Sequence, residues 1–350
     1  MFQPDYHNLV NAAKNIQPER TPLYEHSISE TIMEKVLGVK FAHLKNENPN
    51  NLEEYFKHYC NFFLQMGYDT VSFEAGIAPI LPHGGALSNQ CSGWIDSKEK
   101  FLSYPFEKVL GIYENAYDKL FAALKKNMPK GMLAVGGAGY GVFEIAQDLC
   151  GFENLCFLRY DEPDVFAALF EKIGDMMLTI WKWILDCYGD VFCVCRMGDD
   201  LGYKSNTMLP ADDIKKHIVP QYARLVEQVH SYGKPFLLHS CGNIFCVMDE
   251  IINVAKIDAK HSNEDQIASF DVWVEKYGDR IGNFGGIDTD HLVRTDTNEI
   301  VRITEELMKN CAKGHGGFAA GSGNSIPDYV DADKYLAMVQ TVRRCRGEKI

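Results

Sequence analysis

The stretch Pro235-Phe236-Leu237-Leu238-His239-Ser240-Cys241-Gly242 joins a short apolar run to a polar turn that ends in glycine. A short apolar run bounded by turn residues is typical of a buried strand in a parallel sheet. His239 and Cys241 are two positions apart, and in an extended chain this spacing places both side chains on one face. Imidazole and thiolate are common zinc ligands. The stretch therefore predicts a buried strand with half of a zinc site at its carboxyl end; a packed histidine beside a buried cysteine is the simpler interpretation.

Seven other runs share this β-rich character, and long amphipathic stretches separate them. The predicted strands cover residues 21–25, 70–74, 132–136, 191–196, 235–239, 255–261, 280–286 and 317–321. The predicted helices cover residues 52–66, 106–126, 163–188, 211–232, 244–254, 297–313 and 332–346. Eight strands with helices between them are the pattern of a closed (β/α)8 TIM barrel, and 350 residues fit one. A doubly wound sheet, which does not require eight evenly placed strands, is the alternative.

The composition points to one acidic globular domain. No linker-like tract divides the chain, so we expect a single barrel domain over residues 1–350, with an N-terminal helical extension over residues 1–20. The chain has 35 Lys+Arg against 48 Asp+Glu, a formal charge of -13. This balance argues against a nucleic-acid partner, which favours a basic face.

The sequence also predicts a cytoplasmic protein. Its first residues lack the basic start and apolar stretch of a signal peptide, and no run is apolar and long enough to span a bilayer. Eleven cysteines in such a chain are expected to be mostly buried thiols rather than a disulfide framework. Heavy use of thiols is compatible with a reducing, anaerobic host.

A histidine and a cysteine do not complete a catalytic zinc site, which needs three protein ligands and an open position. In a barrel the further ligand is expected at the end of another strand. Glu74 and Glu25 each end a predicted strand, and Glu74 lies in an apolar setting where an unpaired carboxylate is costly. Glu74 is therefore the preferred third ligand. Cys246 is predicted to lie inside a helix and ranks lower.

Other polar residues follow the remaining strands. Asp199 and Asp200 are candidates to position substrate or to orient a metal-bound histidine, or else to cap the next segment. His261 is a candidate ligand, acid or base, or a structural hydrogen-bonding group. The tips of the last two strands carry Asp288 and the turn with Ser322 and Asn324; these residues and Glu25 are candidate substrate-binding residues.

The segment Gly136-Gly137-Ala138-Gly139-Tyr140-Gly141 superficially looks like a dinucleotide-binding loop. Its glycine spacing does not fit G-x-G-x-x-G read from Gly137, and it does not lie in an opening βαβ unit. We therefore do not expect nucleotide binding here.

Several motifs, taken in order and spacing, resemble the uroporphyrinogen decarboxylase superfamily over nearly the whole chain. They are His239-Ser240-Cys241-Gly242-Asn243, Tyr277-Gly278-Asp279-Arg280-Ile281, Gly285-Gly286-Ile287-Asp288 and Gly321-Ser322-Gly323-Asn324-Ser325-Ile326-Pro327. The resemblance implies a (β/α)8 barrel, in agreement with the strand count.

Decarboxylases of this superfamily carry an arginine-rich M-R-Q-A-G-R loop after the first strand, which binds the porphyrinogen carboxylates. The corresponding stretch here runs from Arg20 to Ile28; only Arg20 and Pro22 resemble the residues that lead into the loop, and the arginine-rich loop itself is missing. A substrate with many carboxylates would meet an acidic protein without an arginine clamp, so decarboxylation is disfavoured.

The other branch, the cobalamin-dependent methyltransferases, uses zinc held by an H-x-C pair and a later cysteine. His239 and Cys241 match the pair, whereas Ser322 stands where the later cysteine is expected. One thiolate with a carboxylate leaves zinc a stronger Lewis acid than two thiolates do. This suits methyl removal from an ether, alcohol or amine.

The resemblance thus predicts a zinc-dependent methyltransferase that moves a methyl group between a small-molecule donor, such as a methyl ether, and the cobalt of a corrinoid (cobalamin) protein. His261, Asp199 or Asp200 would protonate the leaving oxygen. Two alternatives stay open: a uroporphyrinogen decarboxylase, and a non-catalytic barrel that binds a corrinoid or another small molecule.

Overall fold

A computed structural model describes residues 2–312 and 316–349 of the chain. Its centre is a curled parallel sheet in which each strand lies beside the next one along the chain. The strands are β1 (Thr70–Gly76), β2 (Leu133–Gly139), β3 (Phe192–Gly198), β4 (Phe236–His239), β5 (Ala259–His261), β6 (Gly282–Ile287) and β7 (Phe318–Ser322). The predicted α/β class and parallel sheet are confirmed.

Helices separate and flank the strands. The α-helices are α1 (His7–Ala13), α2 (Glu30–Leu37), α3 (Pro49–Met66), α4 (Lys98–Ser103), α5 (Val109–Asn127), α6 (Val142–Cys150), α7 (Phe152–Asp161), α8 (Pro163–Tyr188), α9 (Ala211–Asp213), α10 (Val219–Ser231), α11 (Met248–Glu250), α12 (Phe270–Tyr277), α13 (Thr289–Arg294), α14 (Thr297–Cys311) and α15 (Ala332–Cys345). Short 3-10 turns occur at Ala42–Leu44, Ala78–Ile80 and Phe106–Lys108, and π-helical turns at Ile214–Ile218 and Ile251–Ala255. Within the described part of the chain, no helix has both the length and the apolar character needed to cross a membrane.

The first predicted strand, residues 21–25, is reduced to a single bridge. Leu23 pairs in parallel with Ala320 of β7, Tyr24 N donates to Ala320 O at 2.9 Å, and Ala320 N donates to Pro22 O at 2.9 Å. Pro22 has no N–H, so it cannot donate to a neighbouring strand. The described residues therefore form seven regular strands and one bridged segment where eight strands were predicted.

Two helix predictions need correction. The helix predicted over residues 244–254 begins only at Met248, because the preceding chain is held against the loop after β3. There Asn243 N donates to Tyr203 O at 2.7 Å, and a Cβ on Gly242 would lie 2.1 Å from the Gly202 carbonyl carbon. Cys246 therefore lies in a turn before the helix, not inside it. The helix predicted over 297–313 ends at Cys311, and residue 313 lies outside the described residues.

The strand register brings the polar strand ends to one edge of the sheet. Gly198 of β3 pairs with His239 of β4, and His239 pairs with His261 of β5. Because the strands are parallel, the residues that follow them meet at the carboxyl edge, where barrel enzymes carry their chemistry.

Apolar packing fills the opposite end of the sheet. Helix α1 contacts β3, β6 and β7. Its Leu9, Ala12 and Ala13 are buried in one cluster with Leu237 and Phe284 from the strands. The amino end is thus core, and the carboxyl end is left for a site.

Candidate metal centre

Three potential metal ligands converge where β3 and β4 end. His239 Nε2 lies 3.4 Å from Cys241 Sγ and 3.7 Å from Asp200 Oδ1. Cys241 N donates to the same Asp200 oxygen at 2.8 Å, which holds the carboxylate against the turn. The ligand atoms of these three residues all lie within 4.8 Å of one another.

The spacing and chemistry of this trio fit zinc. Ligands at zinc's usual bond lengths of about 2.0–2.3 Å and at tetrahedral angles lie roughly 3.3–3.8 Å apart. Burial raises the pKa of the Cys241 thiol, and the Asp200 carboxylate raises it further, so a bound cation would be needed to hold the thiolate. Asn324 Nδ2 donates to Cys241 Sγ at 3.3 Å, a contact that favours a negatively charged sulfur.

A chain of hydrogen bonds fixes the tautomer of His239. His261 Nε2 lies 3.0 Å from the Ser322 carbonyl, which can only accept, so this nitrogen carries the proton. Burial lowers the pKa of His261 to about 3, so its ring is neutral and its Nδ1 must accept. That atom lies 2.7 Å from His239 Nδ1, which therefore donates. The pKa of His239 is also held well below its usual range by burial, so its Nε2 presents a lone pair toward Cys241 and Asp200.

His26 was missed by the sequence reasoning. Its ring stacks on that of His239 with centroids 3.8 Å apart, and its buried Nδ1 forms no hydrogen bond. His26, His239 and His261 make a second cluster of potential ligands, but the 2.7 Å contact between the last two is a hydrogen bond, shorter than the spacing of two ligands of one ion. The only signal in the sequence was that His26 directly follows Glu25.

Glu74 lies in neither cluster. Its carboxylate accepts from Arg196 Nη2 at 2.8 Å and from Arg196 Nε at 3.2 Å. The Arg196 side chain is 1% exposed, so the arginine end of this ion pair is buried. Arg196 Nη1 also donates to His26 O at 2.7 Å, which ties the ion pair to the His26 backbone.

Asp199 is turned away from Asp200. Its carboxylate accepts from Phe143 N at 2.9 Å and from Glu144 N at 2.8 Å, at the start of α6. The Tyr222 hydroxyl also donates to it at 2.5 Å. Burial raises the pKa of Asp199 to about 6. The structure thus places Asp199 as a cap of α6, a helix that precedes it in the chain, and not of the next segment as the sequence suggested.

The remaining candidates hold the turns around the centre. Ser322 N donates to Glu25 at 3.2 Å, the Ser322 hydroxyl also points to Glu25, and burial raises the pKa of Glu25 to about 8. Asp288 caps α13 by accepting from Asp290 N at 2.8 Å. Cys246 is exposed, and its sulfur contacts Asn206 at 3.7 Å rather than the centre.

A cavity of about 280 Å³ opens beside His239. It is lined by His26, Ser27, Glu74, Tyr140, Glu144, Gly198, Asp200, His239, Asn324 and Ser325. Glu144 was not singled out from the sequence. Burial raises its pKa well above the usual range, and the carboxylates of Asp199 and Asp200 raise it further. The cavity therefore combines His239 and Asp200, two of the three potential ligands, with a carboxyl group whose pKa is raised.

Glu144 belongs to no motif, but it closely follows a predicted strand end. The glycine-rich segment before it forms the end of β2, which is a position where barrel chemistry is expected. Its glycines serve packing: a Cβ on Gly136 would lie 1.7 Å from Phe73 O, and one on Gly137 would lie 2.3 Å from the Trp181 ring. The non-glycine Tyr140 that follows has φ of 69°, a strained value that turns the chain at the cavity wall.

Comparison with known proteins points to one family and one kind of fold. Residues 116–345, about two thirds of the chain, match the family described as Uroporphyrinogen decarboxylase (URO-D). No curated protein sequence matches the chain. The structure is similar to a methyltransferase from Methanosarcina mazei, with a TM-score of 0.70, 13% identity, and 96% of this chain and 97% of that chain covered.

A second similar structure comes from Listeria monocytogenes and is provisionally assigned as a vitamin-B12 independent methionine synthase. Its TM-score is 0.50 at 12% identity, and the alignment covers 94% of this chain and 98% of that chain. At such identities both structures show a shared fold and no more.

Proposed function

This chain belongs to the uroporphyrinogen decarboxylase (URO-D) family, and from that premise we propose that it is a zinc-dependent methyltransferase. It moves a methyl group between a small-molecule donor, such as a methyl ether, and the cobalt of a corrinoid carried by a partner protein. A methyltransferase shares this fold, and the choice of this chemistry over decarboxylation rests on the site residues described below.

The observation that carries the proposal is the fixed lone pair of His239. Its Nε2 faces Cys241 Sγ at 3.4 Å and Asp200 Oδ1 at 3.7 Å. We therefore assign zinc to His239, Cys241 and Asp200, with Asp200 replacing Glu74 as the third ligand. Bound there, zinc would act as a Lewis acid on the donor's oxygen or nitrogen. Ser322 stands where the late cysteine is expected, but its hydroxyl is hydrogen-bonded to Glu25. We therefore assign the role of that cysteine, the third zinc ligand, to Asp200.

The residues around the trio position it. His261 orients His239 through the Nδ1 contact rather than serving as an acid, because both of its ring nitrogens are engaged and its pKa is about 3. Glu74 holds Arg196, which supports His26 against the His239 ring. These contacts keep the metal-facing nitrogen in one direction.

Glu144 is the proton donor in this proposal. When the methyl carbon–oxygen bond breaks, its electron pair stays on the oxygen, and the methyl group passes to the cobalt(I) acceptor. The carboxyl proton of Glu144 then moves to that oxygen, which departs as an alcohol or phenol from a methyl ether and as water from methanol, and Glu144 becomes a carboxylate. The Asp199 carboxylate caps α6. We therefore assign to Glu144 the proton-donor role that the sequence suggested for Asp199.

The cavity chemistry argues against the decarboxylase alternative. Glu74, Glu144 and Asp200 line the cavity, whereas the nearby Arg196 is bound to Glu74 and to the backbone. A polycarboxylate would therefore meet acidic groups where it needs free cations.

We further propose that the chain is one barrel domain over residues 1–350, with the N-terminal extension over residues 1–20 and residues 21–25 as its closing strand. The Leu23–Ala320 bridge and a hydrogen bond from the Ser72 hydroxyl to Glu25 O support this closure. We also place the protein in the cytoplasm, which agrees with its eleven free cysteines.

The test is metal analysis combined with methyl transfer to cob(I)alamin from methanol or 2-methoxyphenol. We expect one zinc ion per chain and donor-dependent consumption of cob(I)alamin, both lost in His239→Ala. A chain without zinc, or full activity of His239→Ala, would contradict the proposal. Conversion of uroporphyrinogen to coproporphyrinogen would favour the decarboxylase, and corrinoid binding without turnover would favour a binding protein.

A further inference from the structure

A lysine is buried behind the metal centre. Lys260 lies on β5, directly before His261, and is 3% exposed. Successive side chains of a strand point to opposite faces, so His261 faces the centre and Lys260 faces the helices outside the sheet. Its ammonium nitrogen lies 3.8 Å from the centroid of the Trp273 ring on α12. Lys260 is therefore separate from the cavity beside His239, here called the catalytic cavity, which it does not line.

The charge of Lys260 is costly in this position. Its Nζ donates to the Ser262 carbonyl, while the carboxylates of Glu264 and Asp200 act on it through charge alone, without a hydrogen bond. Burial lowers the pKa of Lys260 to about 7, and the Cys241 thiolate is the largest of the charges that oppose this shift. A methionine side chain would fill a similar volume without burying a charge. The ammonium therefore indicates a role beyond packing.

Ser262 links the ammonium to the sulfur of Cys241. Its carbonyl accepts from Lys260 Nζ, and its hydroxyl donates to Cys241 Sγ at 3.7 Å. Asn324 Nδ2 donates to the same sulfur at 3.3 Å. Ser262 is 3% exposed, so this link is closed to solvent. The sulfur thus accepts two hydrogen bonds and has a buried cation behind one of the donors.

This arrangement bears on how strongly the sulfur donates to a metal. A thiolate that accepts hydrogen bonds and lies near a cation shares less of its electron density with the metal. Zinc held by neutral His239, the Cys241 thiolate and the Asp200 carboxylate has no net charge, and Lys260 adds one positive charge behind it. When the methyl carbon–oxygen bond breaks, negative charge develops on the oxygen, and a positively charged centre stabilises it.

We propose that Lys260 is a positioning residue that acts through Cys241: its buried ammonium withdraws charge from the thiolate and makes the bound metal a stronger Lewis acid. Because Lys260 does not line the catalytic cavity, this effect passes through the sulfur and not through contact with the donor. The inference rests on the proposed zinc site, and it rests on the methyltransferase function only for its effect on the rate.

The test replaces zinc by cobalt(II) in the full chain and records the thiolate-to-cobalt charge-transfer band at pH 6.5, where Lys260 keeps its proton. Lys260→Met removes the charge and keeps a side chain of similar length. Ser262→Ala removes the donor to Cys241 Sγ but keeps the carbonyl that accepts from Lys260. Lys276→Met is the matched control, because Lys276 is exposed and its ammonium lies 4.4 Å from the centroid of the Phe245 ring. Thermal unfolding of each variant checks that the fold is kept.

We expect the charge-transfer band of Lys260→Met to move to longer wavelength, because a thiolate without the nearby cation gives up an electron more easily. The band of Ser262→Ala should move in the same direction by less, and Lys276→Met should match the parent. Zinc affinity of Lys260→Met, measured by competition with a chromophoric chelator, should be retained or rise, because removing a positive charge favours a bound cation. A purely structural role of Lys260 would lower that affinity. In methyl transfer, kcat of Lys260→Met should fall by roughly 10-fold or more.

An unmoved band in folded Lys260→Met overturns the proposal, as does an equal shift in Lys276→Met or a loss of zinc affinity in Lys260→Met. If Lys260→Met does not fold, an unmoved band in Ser262→Ala overturns it instead. A parent that binds neither zinc nor cobalt(II) overturns it as well.

The two proposals fail separately. Methyl transfer by the parent with an unmoved band in Lys260→Met would leave the methyltransferase standing and remove the role of Lys260. A shifted band without methyl transfer from any donor would keep the role of Lys260 at the metal and remove the methyltransferase.

Discussion

His239 and His261 face each other from neighbouring strands with their Nδ1 atoms 2.7 Å apart. Because His261 already donates through Nε2 to the Ser322 carbonyl, it is the acceptor in this pair. The direction of the His239 lone pair is thus set by the Ser322 carbonyl on β7, which acts on His239 through His261. In metal sites such partners of a ligating histidine fix its tautomer and raise its basicity.

Removing the acceptor on His261 should therefore weaken metal binding without removing a ligand. We expect His261→Leu to lower the zinc affinity by roughly 10- to 100-fold, the usual cost of losing a hydrogen-bond partner of a metal ligand. Zinc affinity is measured by competition with a chromophoric chelator. His261→Asn places an acceptor oxygen near the Nδ1 position and should retain most of the affinity; equal losses in the two variants would show that His261 acts by packing alone.

Asp200 and Glu74 are expected to behave differently when neutralised. Asp200→Asn keeps the acceptor for Cys241 N but loses the charge, so zinc affinity should fall by more than roughly 10-fold. Glu74→Gln should keep zinc and instead lose about 3 kcal/mol of unfolding free energy, because the buried Arg196 charge loses its partner. Chelator competition and urea denaturation are run on both variants. Zinc loss in Glu74→Gln with zinc retained in Asp200→Asn would restore Glu74 as the ligand.

The positions of the strands could be predicted from the sequence because they depend on local sequence patterns. Each regular strand overlaps a predicted run, since buried parallel strands are short apolar segments bounded by turns. The strand that did not form regularly contains Pro22, whose missing N–H limits a ladder. The helix that started late follows Gly242, whose close contact with Gly202 no local pattern shows.

The residues of the metal centre could be predicted only in part, because contacts between residues far apart in the sequence determine which side chains meet there. His239 and Cys241 share one strand end, so their spacing alone placed them together. Glu74 looked like a ligand because an apolar setting suggested a carboxylate in need of a cation. That cation is Arg196, which follows 122 positions later and lies on a separate strand. Glu144 and His26 lack a motif, and only the folded cavity brings them beside His239.

Replacing Glu144 by glutamine tests the proton donor. The carboxyl group is kept protonated by burial and by neighbouring carboxylates, and removing a general acid costs roughly 100-fold or more in rate. We expect Glu144→Gln to lower kcat strongly for methanol, a poor leaving group, and much less for 2-methoxyphenol, with KM nearly unchanged. In the parent, kcat should fall as pH rises through the raised pKa of Glu144, and this limb should vanish in the variant.

Glu153→Gln on α7 is the matched control for Glu144, because Glu153 is exposed and does not line the catalytic cavity. It should leave kcat and its pH profile unchanged. An equal loss of kcat for both donors in Glu144→Gln would point to a structural effect, and no loss for methanol would exclude Glu144 as the acid.

Glu25 should make the stability of the protein depend on pH. Burial raises its pKa from 4.5 to about 8, so the folded state holds this proton more tightly than the unfolded state. Its contribution to the unfolding free energy is therefore full below pH 4.5 and is lost as pH rises toward 8. Glu25→Gln keeps an acceptor for Ser322 N but does not titrate. Urea denaturation from pH 5 to 8 should show the parent losing stability relative to Glu25→Gln. Parallel curves for the two proteins would mean that Glu25 is ionised in the folded state and has found a cationic partner.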